Sequence, residues 1–230
     1  MSLVIAAPTP VTVPVRGGGE FPVRRVYCVG RNYTEHAVEM GFTGREPPFF
    51  FLKPADSVVA VDEGETGVID YPSLTKNLHH EIELVVAIGR GGRDIKAADA
   101  AAHIYGYAVG LDMTRRDLQN DMKKQGRPWC IGKAFDQSAP IGPIVPIAQT
   151  GELKHGAITL SVGGAVRQKG DLSELIWNVP ETFEHLSAPW LLQPGDLIYS
   201  GTPAGVAAVV SGDVMEGFVE GVCTLRVAVR

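Results

Sequence analysis

Residues 79–88 read HHEIELVVAI, a run in which two glutamates precede an unbroken apolar stretch. Alternate side chains of a β-strand point to the same face, so Glu81 and Glu83 would project together, with Cα atoms about 6–7 Å apart. The residues after them are apolar on both faces, which predicts a buried strand. A buried carboxylate is costly unless it is paired or binds a cation. This stretch therefore predicts a buried strand that carries an acidic pair.

A third carboxylate, Asp112, lies 29 residues after Glu83, at the end of a second apolar run. Three carboxylates that converge from two strands form an oxygen cage suited to Mg²⁺ or Mn²⁺. Because such a cage leaves positions open for water and substrate, it predicts a metal-dependent enzyme with one divalent cation per chain. The alternative is a Glu-x-Glu pair on a solvent-facing strand, which is common without any ion. The predicted burial of the strand favours the cation site.

The composition is that of a soluble globular protein. The 230 residues are 45% hydrophobic and 20% charged, and this length suits one substantial domain. A net charge of -5 argues against a general nucleic-acid-binding protein. Residues 1–15 do not resemble a signal peptide, and no apolar run approaches the ~20 residues that span a bilayer. With Cys28, Cys130 and Cys223 read as buried thiols, we expect a cytoplasmic protein with no nucleic-acid or membrane partner.

The chain is predicted to fold mainly as short strands joined by tight turns, because its 27 glycines and 16 prolines are scattered along it. Strands are predicted at residues 23–29, 49–53 and 105–111, and a hairpin at residues 162–165. A helix is predicted over residues 97–104, and the Thr-x-x-acid pattern at Thr114 predicts a capping box that opens a helix ended by Gly126. Residues 1–20 are expected to be an extended lead-in, and residues 21–230 a single catalytic domain.

A possible general base lies near the N-terminus. His36 and Glu39 stand three residues apart on a short helix predicted to begin after Asn32 and to end at Gly41, so they share one helix face. A carboxylate beside an imidazole can orient and charge it for general-base catalysis. The alternative is a solvated helix face without chemistry.

Other polar residues occupy positions from which they could reach a substrate. Arg116 and Gln119 lie one helical turn apart just beyond Asp112, where a guanidinium could hold a carboxylate; the alternative is an ordinary exposed surface. Lys133 and Lys53 are single charges in apolar segments, either extended to the surface or directed into a site. A Gly-Thr turn at Thr202 could present a hydroxyl and N–H groups to an anion, or be only a turn.

Several segments, taken in order, resemble the fumarylacetoacetate hydrolase family, and together they cover about residues 23 to 228. They are residues 29–33 (VGRNY), 51–54 (FLKP), 77–83 (NLHHEIE), 110–117 (GLDMTRRD), 132–135 (GKAF) and 201–206 (GTPAGV). The resemblance implies an α+β, mostly β fold: a fumarylacetoacetase-type mixed β-sheet roll with a few short helices. It also implies a homodimer.

The resemblance also implies roles for individual residues. The implied ligands of Mg²⁺ or Mn²⁺ are Glu81, Glu83 and Asp112. The implied catalytic residues are His36 and Glu39, which activate water on a mobile lid, and Lys133, which stabilises developing negative charge. The implied substrate-binding residues are Arg31, Lys53, Arg116, Gln119 and Thr202.

The implied activity is metal-dependent hydrolysis of a carbon–carbon bond in an acylpyruvate, a small 2-oxo acid. In detail the chain looks most like bacterial fumarylpyruvate hydrolases and other acylpyruvase-like members, so the expected reaction converts fumarylpyruvate to fumarate and pyruvate in gentisate catabolism. Decarboxylation of oxaloacetate, and isomerisation or decarboxylation in homoprotocatechuate breakdown, are alternatives. A non-catalytic cation- or carboxylate-binding module is a further alternative, which a full coordination shell would favour.

Overall fold

The computed structural model describes residues 3–34 and 45–230. Within these ranges the chain is mostly β-strand with a few short helices, which confirms the predicted fold class. His36 and Glu39, and with them the predicted lid, lie outside the described residues. No helix in the described ranges combines the length and apolarity needed to cross a membrane.

Short elements follow one another along the whole described chain. The strands are β1 (Thr12–Pro14), β2 (Glu20–Pro22), β3 (Val26–Gly30), β4 (Phe49–Lys53), β5 (Val58–Ala60), β6 (Thr66–Ile69), β7 (Leu78–His79), β8 (Ile82–Ile88), β9 (Ile104–Leu111), β10 (Thr114–Arg115), β11 (Ala139–Ile141), β12 (Val145–Pro146), β13 (Ala157–Val162), β14 (Ala165–Asp171), β15 (Leu197–Tyr199), β16 (Ala208–Val209), β17 (Val214–Val219) and β18 (Thr224–Val229). The α-helices are α1 (Arg116–Lys124), α2 (Cys130–Lys133), α3 (Ile147–Thr150) and α4 (Val179–Ser187). Short 3₁₀-helices cover Ala55–Ser57, Ala97–His103 and Leu172–Glu174.

The largest sheet holds the predicted acidic strand near its centre. Its strand order is β4-β3-β15-β8-β9-β11-β5, and β12 also pairs with β9. β8 and β9 are antiparallel, in a register that sets Glu83 opposite Gly110 and Ile82 opposite Leu111. The start of β8 and the end of β9 therefore lie side by side, which brings the two predicted acidic segments together.

β8 is buried along its whole length and separates two apolar clusters. Leu84 and Val86 pack in one cluster, whereas Val85 and Ala87 pack in the other. Glu83 has the same parity as Val85 and Ala87, so its side chain leaves the strand on their side. Burial on both faces explains why this run is apolar without alternation, as the sequence predicted.

A five-stranded sheet, in the order β14-β13-β17-β18-β6, lies with β13 and β17 against β8 and β9. Burial alternates along β13 and β17, as expected for strands with one face on the core. The predicted hairpin between β13 and β14 is confirmed, with Gly163 and Gly164 in its turn. β14 is mostly solvent-exposed, and Gln168 is its one buried residue.

The predicted capping box at Thr114 is wrong. Thr114 and Arg115 form the short strand β10, and α1 begins at Arg116 without a side-chain cap. The carboxylate of Asp117 instead accepts hydrogen bonds from Thr75 Oγ1 at 2.6 Å and from the backbone N–H of Lys76 at 3.0 Å. The helix does end before Gly126, which has a positive φ of 61°.

Three further local predictions can be compared with the structure. The segment expected to be an extended lead-in contains the extended strand β1, which pairs with β2, and Val13 is completely buried. The helix predicted over residues 97–104 is a 3₁₀-helix at residues 97–103. Cys130 is exposed, whereas Cys28 and Cys223 are buried as predicted.

Candidate metal centre and active site

Three carboxylates meet where β8 begins and β9 ends. Glu81 directly precedes β8, Glu83 is its second residue, and Asp112 directly follows β9. A carboxylate oxygen from each lies within 4.8 Å of those of the other two, and the three residues are buried, at 5%, 2% and 1% exposed. The backbone N–H of Asp112 donates to the carbonyl of Glu81 at 2.9 Å, which fixes the two segments. The predicted convergence of the three acids is confirmed.

Cationic side chains surround two of the carboxylates. Lys133 Nζ donates to Glu81 Oε2 at 2.8 Å and to Asp112 Oδ2 at 2.6 Å, and also to Thr114 Oγ1 at 2.7 Å. Arg116 donates to Glu81 Oε1. Lys133 and Arg116 therefore both reach the acidic cluster, from the ends of the neighbouring helices α2 and α1.

Lys53 lies behind the cluster rather than in the pocket. Its fully buried ammonium is 2.9 Å from Asp112 Oδ1 and donates to the carbonyls of Met113, at 3.2 Å, and of Lys133. It is not among the residues that line the cavity over the carboxylates. The structure thus places Lys53 in contact with Asp112 and Lys133.

Burial and neighbouring charges shift the pKa values of Glu83 and Lys133. Burial, and then the charges of Asp112 and Glu81, raise the pKa of Glu83 well above its ordinary value, against the N–H of Gly201, which donates to Glu83 Oε2 at 2.7 Å. Burial alone would lower the pKa of Lys133, but the charges of Asp112 and Glu81 outweigh it and raise that pKa.

The donor set fits a divalent cation. Three buried carboxylates are hard oxygen ligands of the kind that Mg²⁺ and Mn²⁺ take. Asp112 Oδ1 accepts no hydrogen bond from any described residue, although Lys53 Nζ is close to it. Burial and the neighbouring carboxylates raise the pKa of Glu83, and a cation at the cluster would favour its charged form.

The cavity over the carboxylates is lined by both polar and aromatic side chains. Its polar wall is formed by Arg116, Gln119, Lys133 and Thr202. Arg31 lines the cavity as well, with its guanidinium carbon 5.3 Å from the ring centre of Phe49 and 5.9 Å from that of Trp129. Arg31 has a positive φ of 56°, a conformation that is uncommon for a residue other than glycine and often marks a functional site.

The loop that carries Thr202 is braced by a buried amide. Asn32 donates through Nδ2 to the carbonyls of Ser200 at 2.8 Å and Trp177 at 2.9 Å, and accepts the N–H of Trp177. Gly201, with φ of 102°, approaches Asn32 so closely that an added Cβ would lie 2.7 Å from Asn32 Cβ. A glycine is therefore required where this turn presents its N–H to Glu83.

The family model described as fumarylacetoacetate (FAA) hydrolase C-terminal matches residues 25–230. The chain belongs to the fumarylacetoacetate hydrolase family. The crystal structure of fumarylpyruvate hydrolase from Pseudomonas aeruginosa, in complex with Mn²⁺ and pyruvate, has 56% sequence identity and a TM-score of 0.97, covering 99% of each chain.

Two further relatives show the range of activities among similar family members. Fumarylpyruvate hydrolase of Ralstonia sp is 46% identical over 80% of this chain and 93% of its own length. The mitochondrial oxaloacetate decarboxylase of Dictyostelium discoideum is 39% identical over 87% of this chain and 91% of its own length. The chain is an enzyme of this family, and its relatives place it with the hydrolases of carbon–carbon bonds.

Most of the predicted site residues line one cavity. Those that line it are Arg31, Glu81, Glu83, Asp112, Arg116, Gln119, Lys133 and Thr202. Lys53 lies behind it, and the predicted roles of His36 and Glu39 concern residues outside the described ranges. The sequence did not indicate the contacts of Thr114 with Lys133 and of Gln168 with Thr202, nor those of Asn32 with Ser200 and Trp177 beside the Thr202 loop. The only signal for Gln168 was its place in a hairpin strand, which does not indicate burial.

Proposed function

We propose that the chain is a metal-dependent acylpyruvate hydrolase that cleaves fumarylpyruvate to fumarate and pyruvate. The observation that carries the proposal is the cluster of Glu81, Glu83 and Asp112 at the base of a cavity with a cationic wall. A 2-oxo acid needs this combination, a cation for its two oxygens and donors for its carboxylate. The similarity to two fumarylpyruvate hydrolases supports fumarylpyruvate as the substrate.

We assign one Mg²⁺ or Mn²⁺ per chain to the three carboxylates. When bound, the cation would supply a Lewis acid that polarises and orients the 2-oxo acid. Arg116 and Gln119 are held together by a hydrogen bond of 2.6 Å and, with Thr202, provide donors for the pyruvyl carboxylate. Arg31 is assigned to substrate binding at the aromatic side of the same cavity.

We assign Lys133 the role of stabilising the negative charge that develops during cleavage. Its raised pKa keeps the ammonium protonated, and its three N–H groups donate to Glu81, Asp112 and Thr114. A cation that bound the two carboxylates would release N–H groups of Lys133, which could then donate to the pyruvyl oxygen on which negative charge appears. Lys53 contacts the Lys133 carbonyl and the Asp112 carboxylate from behind. We therefore assign Lys53 to holding these two groups in place rather than to contacting substrate.

The water-activating role is assigned to His36 with Glu39, from the sequence. His36 removes a proton from water, and the hydroxide adds to the acyl carbonyl carbon. The bond between this carbon and the methylene carbon then breaks, and its electron pair passes to the pyruvyl fragment. Protonation of the methylene carbon gives pyruvate, while the acyl fragment leaves as a carboxylate.

A second cavity, of about 430 Å³, adjoins the first and shares Phe51, Trp129 and Lys133 with it. Its walls include four aromatic side chains, and Arg127 lines it as an exposed cation. A fumaryl group is planar and ends in a carboxylate. We assign the aromatic walls to the planar chain and Arg127 to its terminal carboxylate.

The test is an assay for pyruvate with fumarylpyruvate as substrate, in Mg²⁺, in Mn²⁺ and in excess chelator. Wild-type protein should release one fumarate per pyruvate, and chelator should remove the activity. Asp112→Asn should be inactive, whereas Glu65→Gln, which changes an exposed acid of the same chain, should match wild type. Pyruvate release that persists at the same rate in chelator would refute the proposal.

Oxaloacetate decarboxylation is the second candidate, and the similarity to the Dictyostelium decarboxylase supports it. Both reactions leave negative charge on a pyruvyl fragment, so the same cation and Lys133 would serve both. They differ in the need for activated water. Parallel assays with oxaloacetate and fumarylpyruvate compare the two activities. A third assay, with a substrate of homoprotocatechuate breakdown, tests for isomerisation.

We also propose that the enzyme is a homodimer. Among the strands of the described residues, β4 lies at an edge of the largest sheet, and it is apolar, with Leu52 43% exposed. An exposed apolar edge strand tends to pair or to be covered by another chain. Light scattering should therefore give twice the chain mass of 24.6 kDa; a single chain mass at micromolar concentration would contradict this.

A further inference from the structure

Gln168 is a buried polar residue on the otherwise exposed strand β14. Its side chain is 0% exposed and makes four hydrogen bonds. The amide oxygen lies 2.8 Å from His80 Nδ1 and 3.1 Å from the Ile82 nitrogen. The amide nitrogen lies 2.8 Å from Thr202 Oγ1 and 2.9 Å from the Pro203 carbonyl oxygen. Gln168 thus joins the segment around Glu81 to the Thr202 loop.

Two backbone groups determine which way the Gln168 amide faces. The N–H of Ile82 can only donate, so the amide oxygen must point toward it. The carbonyl of Pro203 can only accept, so the amide NH₂ must point toward that side. A flipped amide would place two donors together and two acceptors together. The orientation is therefore fixed by the chain itself.

This orientation determines the hydrogen positions on both neighbours. His80 Nδ1 faces the amide oxygen and must carry a proton. Thr202 Oγ1 faces the amide NH₂ and must accept, so its own proton is directed elsewhere. No described residue receives that proton, and Thr202 lines the cavity beside Arg116 and Gln119.

We propose that Gln168 is a positioning residue that holds the Thr202 hydroxyl as a hydrogen-bond donor directed at a substrate carboxylate. The inference rests on the proposed function, because it takes the occupant of the cavity to be a 2-oxo acid. A hydroxyl can donate only one hydrogen bond. Because Thr202 Oγ1 accepts from the Gln168 NH₂, the single O–H of Thr202 is left to donate to another group. The site therefore presents a donor to an anion before the anion arrives.

The test compares Gln168→Met, Thr202→Val and the double variant, with Lys169→Met as the control on the neighbouring exposed residue of β14. The dissociation constant of pyruvate is measured by titration calorimetry on Mn²⁺-loaded protein, and that of Mn²⁺ separately on pyruvate-free protein. A hydrogen bond to a charged group contributes about 1.5–3 kcal/mol, so Thr202→Val should weaken pyruvate binding roughly 10- to 100-fold.

Gln168→Met should weaken pyruvate binding several-fold, and the double variant should bind no worse than Thr202→Val alone, because both changes remove the same interaction. Lys169→Met should bind as wild type does. Additive losses in the double variant, or unchanged pyruvate binding in Gln168→Met, would overturn the inference. A purely structural effect of Gln168 would instead appear as equal weakening of Mn²⁺ and pyruvate binding, and would also overturn it.

A measurement on wild-type protein covers the case in which Gln168→Met does not fold. Nitrogen NMR of the Mg²⁺-loaded protein should show His80 with a protonated Nδ1, and an unprotonated Nδ1 would refute the amide orientation. Failure of the proposed function is distinguishable, since wild type would then release no pyruvate from fumarylpyruvate while these binding data still stand. If wild type binds no pyruvate at all, both proposals fail.

Discussion

Replacing Lys53 by Met is expected to destabilise the metal-free protein strongly. The change removes an ammonium that is 2.9 Å from Asp112 Oδ1 and that donates to the carbonyls of Met113 and Lys133. Removing one partner of a buried ion pair costs about 3–5 kcal/mol, and Lys133, the cation that remains on Asp112, is shared with Glu81. For a chain of this size each kcal/mol lowers Tm by roughly 2–4 °C. The expected loss is therefore roughly 6–20 °C.

The assay is thermal unfolding in excess chelator, followed by circular dichroism. Lys96→Met is the matched control, because Lys96 forms its ion pair with Glu184 at 3.3 Å while 69% of its side chain is exposed. A surface pair contributes about 0–1 kcal/mol, so this variant should stay close to wild type. Combining Lys53→Met with Asp112→Asn removes both charges and should recover part of the lost stability.

The reasoning would be refuted if Lys53→Met unfolded no earlier than Lys96→Met. A normal Tm together with a raised KM for fumarylpyruvate would instead return Lys53 to the substrate-contacting role that the sequence predicted. The two assignments therefore give opposite results in two measurements on one variant.

Three further predictions concern the reaction. His36→Ala should reduce fumarylpyruvate hydrolysis by about 10²–10⁴-fold, the span of a positioned general base, and should reduce any oxaloacetate decarboxylation much less; equal losses would show that His36 does not activate water. Arg127→Met should lower kcat/KM for fumarylpyruvate but not for acetylpyruvate, which lacks the terminal carboxylate, and parallel losses would refute the assignment. The apparent affinity for Mn²⁺, measured by calorimetry, should rise with pH, because the proton held by the raised pKa of Glu83 must leave before the carboxylate binds a cation; a pH-independent affinity from pH 5 to 8 would contradict this.

The acidic cluster could be predicted from sequence because its signals are local. The two-residue period of Glu81 and Glu83 and the apolar run that follows are properties of a single strand. Their convergence with Asp112 required only that a second apolar strand end beside the first, and antiparallel pairing of β8 with β9 provides this. The family resemblance then indicated which polar residues share the cavity.

The capping box at Thr114 failed because a distant residue competes for the hydroxyl. Thr114 Oγ1 accepts from Lys133 Nζ at 2.7 Å and donates to the Asp112 carbonyl at 3.0 Å, so its hydroxyl contacts the carboxylate cluster and does not cap the helix. Lys133 is 19 residues away in sequence. A local pattern cannot contain such a partner, and tertiary contacts override it.

The same reason explains why the positions of Lys53 and Gln168 could not be predicted. Lys53 contacts residues 60 and 80 positions away, and Gln168 contacts His80 at a separation of 88. A lysine at the end of an apolar strand can extend outward to solvent or inward to a buried partner, and the neighbouring sequence is compatible with both. Only the pairing of β4 with β3, which carries the strand end toward Asp112, decides between them.

The cationic side chains around the carboxylates bear on whether the protein stays folded without a metal ion. Glu81 and Asp112 already form ion pairs with nearby cationic side chains in the folded chain, namely those of Lys133, Arg116 and Lys53. Glu83 accepts a hydrogen bond from the N–H of Gly201, and its raised pKa favours the protonated form. The ion pairs thus offset much of the free energy lost when these carboxylates are buried. Small metal domains lack such compensation and unfold without their ion. We therefore expect chelator to abolish activity while circular dichroism and cooperative unfolding persist; loss of the fold in chelator would show that these ion pairs do not support the metal-free state.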